Sequence, residues 1–61
     1  MNKSQLKQIE MANIYLANGM ADACARSVSA LIRSAMSAKS RNALLAYAIE
    51  NKIQNHPDFI I

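Results

Sequence analysis

Cys24 and His56 are the only thiol and the only imidazole in the chain. Thiolate or imidazole chemistry would have to start from them. A nucleophilic cysteine needs a neighbouring base or cation to lower its pKa. Cys24 instead sits among alanines in ADACARSVSA, where helical spacing puts it on an apolar face. Free cysteine is one of the most buried residue types, so packing is the expected role. One Cys and one His cannot supply the four ligands of a zinc site within one chain. His56 precedes Pro57 and is expected near a helix end, where an imidazolium is favourable.

The carboxylates give no better case for catalysis. Glu10, Asp22, Glu50 and Asp58 fall in separate segments. Asp22 stands four before Arg26, the spacing of an exposed helix ion pair worth a few tenths of a kcal/mol. A single glycine, Gly19, excludes a glycine-rich phosphate loop. The sequence therefore predicts a non-enzyme, with no catalytic, cofactor-binding or metal-binding residues and no small-molecule substrate.

The basic residues carry a second possibility. Arg26, Arg33, Lys39 and Arg41 fall on the outer side of one helix and around the next turn. Net charge is +3, a mild bias toward anions. Arginines beside a helix N-terminus can contact phosphate, so a small nucleic-acid-associated regulator is the alternative reading. A helix-turn-helix with Gly19 in its turn fits poorly, because Tyr15 is too large for the close-packed position four before it. A solvated helix face explains the same charges.

Positioning these residues falls to helices. The mixture of alanine, serine, leucine and charged residues is helix-friendly, and no strand-like alternation persists. The reading is an all-α, three-helix domain over residues 1–61, with helices at 4–18, 21–38 and 41–55. Ser4 and Ser40 are the expected N-caps, and Gly19 is the left-handed residue after the first helix. Pro57 pushes His56 out of the helical region.

Periodicity assigns the faces. The core side of the second helix is Ala21, Cys24, Ala25, Val28, Leu31, Ile32, Ala35 and Met36. Asp22, Arg26, Ser29, Arg33 and Ser37 fall opposite. The first helix turns Leu6, Ile9, Leu16 and Ala17 inward, flanked by Ala12 and Ile14, leaving Met11 and Tyr15 on its far side. The third has two apolar sides, one with Leu45, Ala46, Ile49 and Ile53, the other with Leu44, Tyr47 and Ala48. Such a helix is central in a bundle or shared with a second chain. Small residues four apart (Ala21, Ala25, Ser29) allow close approach of helix axes.

A chain of 61 residues buries only about 60% of its unfolded surface and usually needs a staple. With one cysteine no internal disulfide forms, so a homodimer is expected. Met11, Tyr15, Leu44 and Tyr47 are the candidate interface residues, methionine and tyrosine being enriched at such surfaces. The sequence ends in HPDFII. Phe59, Ile60 and Ile61 join the candidate interface, as a tail that packs back on its own core, crosses to a dimer mate or docks as a free peptide. MNKSQLKQIE has no apolar run and is not a signal peptide. No stretch approaches the roughly 20 residues of a membrane span. A lone free thiol fits a reducing cytoplasm. The functional expectation is a cytoplasmic accessory or adaptor protein, binding protein partners or itself and no membrane.

Overall fold

The computed structural model describes residues 3–61 as three helices: α1 (Lys3–Ala17), α2 (Ala21–Ser34) and α3 (Ala38–Glu50). α2 is the central element. It packs against both α1 and α3, while no Cα of α1 comes within 8 Å of one in α3. Of the two places open to a two-sided α3, the middle of the bundle is not the one it takes. α2 takes that place because its inward residues are small or slim. Cys24, Ala25 and Val28 are completely buried, and Ser29 and Ile32 nearly so. Such a helix can be approached from more than one side.

Both α1 and α3 end in the same way. After α1 the Met20 N–H donates to the Tyr15 carbonyl (2.8 Å) and the Gly19 N–H to that of Leu16 (3.2 Å). After α3 the Ile53 N–H reaches Ala48 (3.0 Å) and the Lys52 N–H reaches Ile49 (3.1 Å). This pair of bonds is the Schellman closure, which needs one left-handed residue. Gly19 (φ 71°) supplies it in the first case and Lys52 (φ 60°) in the second. Each cap is reinforced by an asparagine: Asn18 Nδ2 donates to the Ile14 carbonyl (2.7 Å), and Asn51 Nδ2 to that of Tyr47 (2.9 Å).

Three boundaries differ from the sequence reading by more than one residue, and Ser4, the expected N-cap of the first helix, lies inside α1. α2 stops at Ser34 rather than 38, because Ala35 is extended (ψ 128°). Met36 is consequently 98% exposed instead of lying on the core face. α3 begins at Ala38, since the N-cap is Ser37 and not Ser40. Ser37 Oγ accepts the Ser40 N–H at 3.1 Å. Capping at the earlier serine adds a turn to α3 and places Arg41 where its guanidinium donates to the Ala35 carbonyl (3.4 Å) beyond the end of α2. Finally, α3 ends at Glu50, not 55, through Lys52 and before Pro57 has any influence.

The core contains Ala12 of α1, Cys24, Ala25, Val28 and Ile32 of α2, Ala35, Leu44 and Ala48 of α3, and Ile53 beyond it. Ile9, Tyr15, Leu16, Leu31, Leu45, Tyr47 and Phe59 pack around it, each half-buried. The centre mixes alanines and a cysteine with Val28, Ile32, Leu44 and Ile53, and further large apolar groups form a rim around it.

Candidate functional site

The tail folds back on its own chain. Residues 53–59 descend through two turns, in which the His56 N–H donates to the Ile53 carbonyl (3.0 Å) and the Phe59 N–H to that of His56 (2.9 Å). His56 Nδ1 accepts the Asp58 N–H (3.0 Å), clamping the turn around Pro57. Phe59 then packs against the core. Arg26 holds Asp58 at 2.9 Å, and Arg33 donates to the Ile60 carbonyl. Arg26, Ser29 and Arg33 lie on one side of α2, so the tail runs along that flank. This corrects the outward assignment of Ser29, which is 1% exposed and donates its hydroxyl to the Arg26 carbonyl (3.1 Å).

Three of the four basic candidates are engaged within the chain, and all four stay exposed. Arg26 lies between two carboxylates, Asp58 and, at 3.6 Å, Asp22. The Asp22 carboxyl is held below its ordinary pKa by the Ala23 N–H, with the Arg26 guanidinium adding to that. Arg33 is engaged with the tail and Arg41 with Ala35. Lys39 is exposed on the first turn of α3.

The apolar candidates divide. Met11 is exposed on α1, joined there by Leu6 and Ile14. Ala17 is exposed as well, so the inward assignment of Leu6 and Ala17 is corrected. The fully buried residue of α1 is Ala12. Tyr15 is half-buried against the core, which corrects its assignment to the far side of α1. Leu44 is completely buried, so its assignment to an outer surface is corrected. The Leu44–Ala48 side of α3 is the side that meets α2. Tyr47 is half-buried, and its hydroxyl donates to Asn13 Oδ1 at 2.6 Å, tying α3 to α1. Phe59 is tucked in, whereas Ile60 and Ile61 are each 63% exposed. The sequence reading missed Ile49, which is 59% exposed on α3. The period-based signal was present, since Ile49 lay on the second apolar side. What it lacked was knowledge of which side α2 takes.

Cys24 is sealed in the centre beside Tyr47. Burial pushes its thiol above the ordinary range, the reverse of what a nucleophile needs. Burial, together with the neighbouring Cys24, pushes the Tyr47 phenol up to about 12. No helix among the described residues is long and apolar enough to cross a membrane.

Comparison with protein families, curated proteins and solved structures finds no match for this chain.

Proposed function

We propose that this chain is a small helical binding protein. It acts in the cytoplasm through its surfaces rather than by catalysis, and its first partner is a second copy of itself. The observation that carries this reading is the apolar surface left over after folding. Met11 is 42% exposed, Ile14 52%, Ile49 59%, and Ile60 and Ile61 63% each. A scattered exposed leucine is ordinary. Here Val28, Ile32, Leu44 and Ile53 share the centre with alanines and a cysteine, and a further set of large aliphatic groups stays outside. A chain this small gains most from covering such groups with another surface. A lone thiol supports the cytoplasmic setting.

A nucleic-acid role draws less support. Arg26 is already balanced by two carboxylates and Arg33 by the tail, so phosphate would have to displace intramolecular partners.

Sedimentation equilibrium over a range of concentrations tests the proposal. The expected result is a mass rising from one chain toward two. A constant single-chain mass, combined with steeply salt-dependent binding to a short duplex, would favour the nucleic-acid role instead.

A further inference from the structure

α3 has two apolar sides, and the fold uses one of them. On the other, Ala38, Asn42, Leu45 and Ile49 are spaced by four, three and four residues, the seam spacing of a coiled coil. Ala38, Asn42 and Ile49 are exposed, and Leu45 is half-buried at the rim of the core. α1 does not reach α3 closely enough to cover this side. Lys39 and Glu50, both exposed, stand eleven residues apart. That is three turns plus about 20°, so they mark one edge of the seam near its opposite ends.

We propose that this seam seats the same helix of a second copy, running antiparallel across a two-fold axis. The inference rests on the self-association proposed above and specifies its geometry. The charges determine the direction. In an antiparallel pair Lys39 meets Glu50 of the partner subunit, and the symmetry repeats the contact. A parallel pair carries the two charged edges to opposite faces of the dimer, so neither Lys39–Glu50 contact forms, and it aligns the helix dipoles. A two-fold interface requires a surface that complements itself when reversed, and this edge does so. In the same register Ala38 faces Ile49 of the partner subunit, small against large. The exposed Ala46 beside the seam allows the axes to come close. Asn42 weakens the seam and restricts its register, as a single polar seam residue does. One 13-residue helix pair is a small interface, so the dimer is a dissociable one.

Charge reversal tests the pairing. Lys39→Glu and Glu50→Lys each turn two attractions into two repulsions. Each single variant is expected to weaken self-association about tenfold, and the double variant to restore it. A mixture of the two single variants should form the mixed dimer. All these positions are exposed, so circular dichroism should show an unchanged fold. Geometry gets an independent check. Ala38→Cys together with Ile49→Cys should oxidise to a disulfide-linked dimer, with buried Cys24 taking no part. Ala38→Cys alone should not, because the two copies of that position lie roughly 16 Å apart along the pair. Self-association that ignores both single variants would overturn the α3 pairing and leave the wider reading standing. Absence of self-association up to about 1 mM, the weak end of specific binding, would overturn both.

Discussion

Lys52 holds φ 60° at the end of α3, in the position that Gly19 fills after α1. A side chain in the left-handed region costs about 1 kcal/mol, and glycine avoids it. Lys52→Gly is therefore expected to stabilise the fold by about 1 kcal/mol, several degrees of melting temperature in a domain this size. Gly19→Val should do the reverse. A Cβ at Gly19 meets nothing within 4 Å, so the loss there is purely of backbone origin. Thermal melting checks both. A glycine before a polar connection is a legible stop signal, which is why the end of α1 was readable to within a residue. A lysine is not, and α3 was read five residues too long. The signal that did exist was the asparagine shared by the two caps, Asn18 and Asn51.

Titration of Tyr47 and Cys24 belongs to the same scale. Tyr47 is raised to about 12 in the folded chain, against about 10 when unfolded. A raised pKa means that the folded state holds its proton longer. The stability from Tyr47 is thus complete below pH 10 and lost as pH rises toward 12. Cys24, also raised by burial, acts in the same direction. Denaturant midpoints measured from pH 9 to 12 should fall, and Tyr47→Phe should make the fall shallower. A midpoint independent of pH in that window would mean the phenol is not shielded as described.

At the level of elements, the α2–α3 connection is the informative place. SAKSRN contains two serines able to cap, and local preference alone does not choose between them. The choice comes from the packing that starts α3 a turn earlier, with Arg41 at the Ala35 carbonyl. Ser37→Ala should cost about 1 kcal/mol, and Ser40→Ala much less. Equal losses would place the cap wrongly. Face assignment shows the same division. The core side of α2 was readable through Val28 and Ile32, because its moment is strong and one-sided. For α3 the period was right and the choice of side wrong. Leu44 and Leu45 are neighbours of equal hydrophobicity, and only the position of α2 distinguishes them.

For the whole molecule, the tail is the element that completes the core. Phe59 covers it, and two arginines on α2 hold the segment in place. The exposed Arg26–Asp58 pair contributes little by itself, so the aromatic ring carries the larger share. Removing residues 59–61 should lower the melting temperature by several degrees, whereas Asp58→Asn should shift it far less. A tail closing over its own chain was one of the outcomes legible in HPDFII. Its route along Ser29 was not, because that depends on which flank of α2 remains open once both other helices have docked.

The central claim is that the apolar groups left outside the core, and not the core itself, mediate association. Amide-resolved NMR spectra recorded through a dilution series address it most directly. Shifts should move with concentration at Asn42, Leu45, Ala46 and Ile49, and the amides of Val28 and Ala25 should stay fixed. Movement centred on those core positions, or a spectrum unchanged at every concentration, would contradict the account.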